Sequence, residues 1–439
     1  MIQKNYKKIK KNTKIVFLLM MVLTFSCVEN ENLPMNQNQE LISASEERSL
    51  EYERKLAELT LVFGEVLKDK SAMKELFSFS EIEGNSGSIK YNLKTLFQES
   101  KSPNSRRSSA IVERFKSLNS QNARLSQSVS VDELISFIEE HNISVTAPYL
   151  AEDFELETIN EITLSWWTQE FEDLNFQKNA DWTGETKAVK INLNEVADLS
   201  IERILGGDYF LVDDDWAEKN PTIVLGNFKI QAEKSNAKVQ VGSNFRSLGA
   251  PVELCNSNYE TNQHLIAKMP AFRLDDNYAP WPKDNFMYCW VAFSESITVG
   301  SNGTPSIAPD VNYVLQDKEI TRKEARIKRW KSTNSPFIIS NWKPEADDMY
   351  VIWGYEKSNS TLEVTSSVKA TKDGISTEYG FKMVSQTGVQ LASALSFDKC
   401  YTIRNNVNGI DVGFGYYGDT SLPKYGMGKI RMYFTLETL

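Results

Sequence analysis

The sequence predicts an α+β protein: a helical N-terminal region, then β-rich domains ending in a C-terminal antiparallel β-sandwich. Apolar residues recur at helical spacing between residues 46 and 142. After Ile143, short β-branched and aromatic runs broken by Gly, Pro, Asn and Asp take over. From Met349 to the end such runs are all that is found. At 439 residues, 41% hydrophobic and 25% charged, the composition is that of a globular protein. It excludes collagen, a wholly disordered chain and a disulfide miniprotein.

The helical region, 46–142, opens on a stripe. Leu56, Leu59, Phe63, Val66 and Leu67 fall on one face and Met73, Leu76 and Phe77 extend it, with Glu51, Glu53, Arg54, Lys55, Glu58 and Glu65 on the other. Residues 82–129 are rich in Ser and Asn and form a mobile insert holding two short helical pieces, around 91–97 and 110–118. Ser130 to Glu133 reads as a capping box before Leu134, Ile135, Phe137 and Ile138, and that helix ends near His141 and Asn142.

The central β-rich domain, 143–343, contains SVTAPYL, EITLSWW, AVKINL, DYFLVDDD, PTIVLGNFKI and AKVQVGS as strands, and PTIVLGNFKI is apolar enough to be central. A basic helix is expected over 315–331. A boundary near 341–346, which includes Pro344, separates it from the sandwich of 344–439. There the strands are MYVIWGYE, TLEVTSSVKAT, STEYGFKMVS, KCYTIRN, DVGFGYYG and KIRMYFTLE. MYCWVAFSES and MYVIWGYEKS share a Met-Tyr start and an aromatic, a likeness two strands can have by chance.

The first 26 residues form a targeting segment. Lys4, Lys7, Lys8, Lys10, Lys11 and Lys14 precede the apolar run IVFLLMMVLTF. That run reaches about 17 Å as a helix, short of the roughly 30 Å bilayer core, so it is a signal-peptide core. The following LTFSC resembles the lipobox of bacterial lipoproteins, whose cysteine becomes the lipidated first residue of the mature chain. The resemblance covers about the first 30 residues and implies a membrane partner through lipid at Cys27 and an outer-membrane location. VENEN, directly after, looks like the acidic signal that carries some such proteins to the cell surface; a periplasm-facing or secreted form is the alternative. A flexible tether is expected over 27–45.

The chain carries 49 basic against 59 acidic residues, a net −10, and loss of the signal lysines makes it more acidic still. No basic domain offers a phosphate footprint, so nucleic acid is not an expected partner. With two histidines, His141 and His264, general bases are few. There is no HExxH, GxSxG, P-loop, GxGxxG or EF-hand pattern.

Carboxylate runs are the strongest chemical feature left. Asp213 and Asp215, in the run Asp213–Asp214–Asp215 after YFLV, are candidate oxygen ligands for Ca²⁺, against the plainer reading of a solvated turn. Asp275–Asp276 and Asp347–Asp348 are similar pairs. Trp166, Trp167, Tyr416 and Tyr417 are candidate ligand-binding aromatics, one of the adjacent tryptophans facing the core and the other outward. The basic stretch 318–331 either docks an anionic partner or covers an acidic flank of the same protein. Cys255, Cys289 and Cys400 allow one disulfide within the chain, Cys255 and Cys289 being the nearer pair, or remain buried thiols.

Together these point to non-enzymatic binding of a glycan, protein or envelope component. The alternative is a surface hydrolase acting on glycans or peptides through carboxylates, with or without Ca²⁺. Paired acids of raised pKa lining one cleft favour the enzyme, and exposed aromatic faces without them favour binding.

Overall fold

The computed structural model describes residues 35–82, 87–101, 109–121, 130–195, 201–228, 245–248, 264–299, 305–334, 336–358, 360–372, 375–384, 388–408, 414–417 and 420–439. The signal segment, Cys27, Cys255 and the strand expected at 237–243 lie outside them. Helix accounts for 34% of the described residues and strand for 42%, with helices concentrated early and antiparallel sheets following, so the class is α+β. The chain divides into two compact units, Met1–Glu53 and Arg54–Leu439. In the first, helix begins at Met35, so 35–45, expected as part of a flexible tether, is helical, and 27–34 lies outside the described residues. No proline interrupts 35–67, and a helix nucleated by its strong formers extends through neutral Asn and Gln. Everything below concerns the second unit.

Its first half is built on one mixed sheet, in spatial order β1 (Ile89–Asn92), β2 (Ser144–Ala147), β6 (Thr222–Gly226), β3 (Glu161–Trp167), β4 (Thr186–Asn192) and β5 (Phe210–Val212). β3 and β6 run parallel and the other pairs antiparallel. β6, in PTIVLGNFKI, is central as its composition predicts. The stripe residues Leu56, Leu59, Phe63, Val66 and Leu67 are all buried. The helix meets the sheet at Gly64, where a Cβ would stand 2.4 Å from Leu164 Cδ1 and 2.5 Å from Ile191 Cδ1. Glu58 and Glu65, expected on the solvent face, are buried too, and pair with Arg54 and Lys68.

The helices Leu93–Lys101, Ala110–Gln121 and Val131–His141 pack beside that sheet. The last ends at Asn142 in the left-handed conformation (φ 54°). Ser130 is its N-cap residue but makes no side-chain cap bond, so the expected capping box is not closed.

The second half is all sheet apart from two short helices. Its strands are β7 (Phe245–Leu248), β8 (Leu265–Lys268), β9 (Ala271–Leu274), β10 (Asn285–Val299), β11 (Pro305–Ile320), β12 (Lys331–Ser332), β13 (Phe337–Trp342), β14 (Asp348–Glu356), β15 (Glu363–Lys372), β16 (Ile375–Val384), β17 (Val389–Asp398), β18 (Phe414–Tyr417), β19 (Thr420–Met427), β20 (Ile430–Tyr433) and β21 (Thr435–Thr438). A sheet ordered β11–β10–β14–β17 runs through the middle. Met287, Cys289, Val291 and Phe293 of β10 enter one core with β8, β9 and β20, while Tyr288, Trp290 and Ala292 enter another with β15 and β16. A strand buried on both faces has no polar alternation, which is why MYCWVAF reads as continuous apolar sequence.

Three expectations are corrected here. MYCWVAFSES and MYVIWGYEKS are sheet neighbours: β10 pairs with β14, Met287 opposite Tyr355 and Phe293 opposite Met349. Strand pairing therefore runs straight across the boundary expected at 341–346. The basic helix expected over 315–331 is strand β11 through Ile320, then a five-residue helix Arg322–Arg326 started by a closed capping box between Thr321 and Glu324. KCYTIRN, expected as a strand, lies in the helix Lys399–Asn408, whose first turn is capped by Asp398 accepting from the Tyr401 N–H at 2.9 Å.

Cys289 is a buried free thiol and Cys400 is disulfide-bonded, so the nearer pair, Cys255 with Cys289, is not the one formed. Among the described residues no helix is long and apolar enough to cross a membrane, which says nothing of strands.

Candidate ligand-binding cleft

The two halves meet at the loop between β9 and β10. Trp281, fully buried, inserts against Trp167 and Val224 on the face of the mixed sheet away from Gly64, and its Nε1–H donates to Thr186 Oγ1 at 3.0 Å. Its backbone N–H donates to Thr183 O at 2.9 Å. Gly184 allows this approach: it sits at φ +102°, and a Cβ there would lie 2.1 Å from Trp281 N. The loop is fixed from beneath by Asn285, whose Oδ1 accepts from the Tyr278 and Ala279 N–H groups while its Nδ2 donates to Asn277 Oδ1 and Ile320 O.

Beside that contact the Asp214 carboxylate receives four donors. Arg322 Nε is 2.6 Å from Oδ1 and Tyr149 Oη donates to the same oxygen at 2.8 Å; Arg326 Nη1 at 2.9 Å and Asn277 Nδ2 at 3.2 Å reach Oδ2. Burial pushes the Asp214 carboxyl up, but Arg322, with Tyr149 and Arg326, outweighs it and holds the group below the ordinary carboxylate range. Arg322 Nη1 donates to Ala279 O and Lys283 O. A second buried cluster, Lys90 with Asp284 and Glu319, ties β1 to β10 and β11 nearby.

Between the halves lies a cleft of about 550 Å³, within the range of small-ligand sites. One wall is Phe176, Asp181, Trp182 and Gly184, from the segment ahead of β4, with Asp213 to Asp215 at the start of the Asp214–Lys219 helix. The other wall is Asp276 to Ala279, Lys429 in the β19–β20 turn, and the ends of β14 and β17. Tyr355 and Gln390 are cross-strand partners there, and Lys357 follows Tyr355 on the same face two residues on. The rings of Tyr278 and Tyr355 lie 5.2 Å apart at 30°, and Trp182 stands edge-on to Phe176 at 5.2 Å.

Among the described residues, several polar groups lining the cleft have no protein partner. They include the Lys357 ammonium, the Gln390 amide, the Tyr355 hydroxyl, the Trp182 indole N–H and the Asp181 carboxylate. Lys357 Nζ instead lies 3.7 Å above the Phe176 ring. The other cations of the cleft are engaged: Arg322 and Arg326 on Asp214, and Lys429 on Asp276 at 2.7 Å.

The residues singled out from sequence behave differently. Asp213 is the N-cap of the Asp214–Lys219 helix, accepting from Trp216 N at 2.9 Å, and Asp215 pairs with Arg326. Both line the cleft, each with its Oδ1 engaged by these partners. Among the described residues no group of three or more His, Cys, Asp or Glu is placed to hold a metal ion.

Trp166 and Trp167 point to opposite faces of β3, as alternation demands. Both are nevertheless buried, because the sheet is covered on both sides; this corrects the expectation that one faces outward. Trp167 donates to Glu172 Oε2 at 3.0 Å and carries Lys283 4.4 Å above its ring. Tyr416 and Tyr417 lie on the backbone of β18, their side chains outside the described part.

His264 faces Asn341 at 2.7 Å and His141 lies tilted against Phe137, neither in the cleft. The basic stretch covers an acidic flank of the protein itself: Lys323 pairs with Glu152 and Asp153, and Arg326 with Asp214, Asp215 and Glu218. The carboxyls held above their ordinary range, Asp347, Asp348 and Glu319, do not line the cleft.

The missed residues are Trp182, Tyr278, Tyr355, Lys357 and Gln390. The available signal was Trp182 two residues before Gly184, a tryptophan beside a turn residue. The others sit in sequence that reads as plain strand or loop. Protein-family models, curated proteins and solved structures yield no match to the chain.

Proposed function

We propose that the chain is a lipid-anchored envelope protein, held at the outer membrane through Cys27, whose cleft binds a glycan without transforming it. The observation that carries this is the meeting of the Trp182, Tyr278 and Tyr355 rings with unpartnered hydrogen-bonding groups in one cleft of about 550 Å³. A sugar presents an apolar C–H face and a rim of hydroxyls, and such a lining complements both. Glycosidase chemistry requires a carboxylic acid held protonated near neutrality opposite a second carboxylate. In this cleft Asp214 is held ionised and fully bonded, while the carboxyls pushed upward lie elsewhere. Binding is therefore favoured over hydrolysis. The anchoring part of the reading is supported by the basic n-region, the short apolar core and LTFSC.

A thermal-shift screen of the protein against neutral and acidic oligosaccharides, with Ca²⁺ and chelator arms, tests the reading. A ligand at 100 times its Kd adds about 2.7 kcal/mol to stability. A shift with a sugar that is abolished in Trp182→Ala and Gln390→Ala supports glycan binding in the cleft. A shift with Ca²⁺ alone, or sugar cleavage products on chromatography, overturns it. Replacing Cys27 with Ser releases the protein from membranes, and its retention there would remove the lipid anchor from the proposal.

A further inference from the structure

We infer that the glycan bound in the cleft carries an acidic group, a carboxylate or sulfate, which Lys357 receives. This rests on the glycan reading and specifies the class of sugar. Of the four cations lining the cleft, Arg322, Arg326 and Lys429 are bound by carboxylates of the protein, whereas Lys357 has neither a carboxylate nor a hydrogen-bond acceptor among the described residues. Among the described residues its close partner is the face of Phe176. An ammonium held over a ring keeps N–H donors available on the side away from the ring, a pre-arranged site for an anion.

Tyr355, two residues earlier on the same face, and Gln390, across from it on β17, supply neutral donors within the same wall. An anionic oxygen on Lys357 thus has hydroxyl and amide donors beside it, while the sugar ring lies toward Tyr278 and Trp182. Burial, offset by Glu172 and reinforced by the Lys283 ammonium, lowers the Lys357 pKa, which fits a cation still lacking its counter-charge. Asp276, on the same wall, is occupied by Lys429, and Asp215, on the facing wall, by Arg326; the exposed Asp181 carboxylate of the facing wall has no partner among the described residues.

Isothermal titration of the purified full chain with a matched set of probes tests this. The set holds a neutral trisaccharide, its uronate and its sulfated counterparts, and triglutamate. The expected result is binding of an acidic sugar at least about tenfold tighter than the neutral one, weakened about tenfold to a hundredfold in Lys357→Met and retained in Lys357→Arg. Preference between uronate and sulfate identifies the source of the charge. Lys357→Met keeps the wild-type unfolding midpoint, so the loss is read at the site.

Equal binding of neutral and acidic sugars, or acidic binding unchanged in Lys357→Met, overturns the inference and leaves the glycan reading standing. Binding of triglutamate in place of every sugar, or of no probe at all, overturns both.

Discussion

Replacing Asp214 with Ala removes one carboxylate and strands four donors. Arg322 is the critical one: its side chain is 3% exposed, and its nearest counter-charge is Asp214 Oδ1 at 2.6 Å. Breaking a buried ion pair from one side costs about 3–5 kcal/mol, most of it the penalty of leaving the other charge uncompensated. Asp215→Ala is the internal control. That carboxylate is 69% exposed and pairs with Arg326 at the surface, so its loss costs about 1 kcal/mol or less.

Urea unfolding followed by tryptophan fluorescence reads the difference, since Trp281 sits at the junction the cluster holds. The double variant Asp214→Leu with Arg322→Met recovers part of the loss, because neither partner is then left charged. The acid side gives a second check. Asp214 is held below its ordinary value of 3.8, so its contribution is complete above that value and disappears as pH falls through the lower folded-state value. The gap between wild type and Asp214→Ala closes accordingly in acid. Equal losses for Asp214→Ala and Asp215→Ala at pH 7 would refute the view that this cluster fastens the two halves.

Gly184→Ala destabilises by about 3 kcal/mol, because the new Cβ meets Trp281 backbone at a φ that disfavours alanine; a midpoint in urea equal to that of wild type would contradict the close approach. Asp348 is pushed by burial up to about 6, against bonds from the Lys369 N–H and the Ser396 hydroxyl. The folded state therefore binds its proton more tightly than the unfolded state. Wild type gains roughly 2–3 kcal/mol relative to Asp348→Asn as pH falls from 7 to about 4. Parallel stability profiles for the two proteins over that range would contradict it.

What the sequence disclosed, and what it hid, follows from which interactions are local. The stripe from Leu56 to Leu67 and the run EITLSWW each contain their own periodicity, and both elements form where that pattern places them. β11 and the Lys399–Asn408 helix were misread for opposite reasons. Residues 315–320 are polar enough to look helical, yet their pairing with β10 decides the matter. KCYTIRN is β-branched and aromatic, yet the Asp398 cap starts a helix there. The closed capping box of Thr321 and Glu324 was visible in the sequence and marks the true helix start.

The cleft was hidden more deeply. Its lining comes from around Phe176, Asp214, Tyr278, Arg322, Tyr355, Gln390 and Lys429, and only the docking of one half on the other brings these together. Neighbouring acids and tryptophans attracted notice as runs, whereas the groups left over for a ligand are isolated in sequence.

The parity of β14 has a consequence for how the protein can change. Met349, Val351 and Trp353 fill the core, and the same odd-numbered face continues into Tyr355 and then Lys357 at the cleft. Core and cleft are thus written along one rail. Inserting or deleting a single residue in that strand would exchange its faces and spoil both together. Point replacements at 357, where the rail leaves the core, and at 390 on the neighbouring strand alter the lining without disturbing the packing behind it, whereas Tyr355 still belongs to that core. Diversification of what the cleft accepts is thereby channelled into a few strand-end positions, leaving the frame that presents them unchanged.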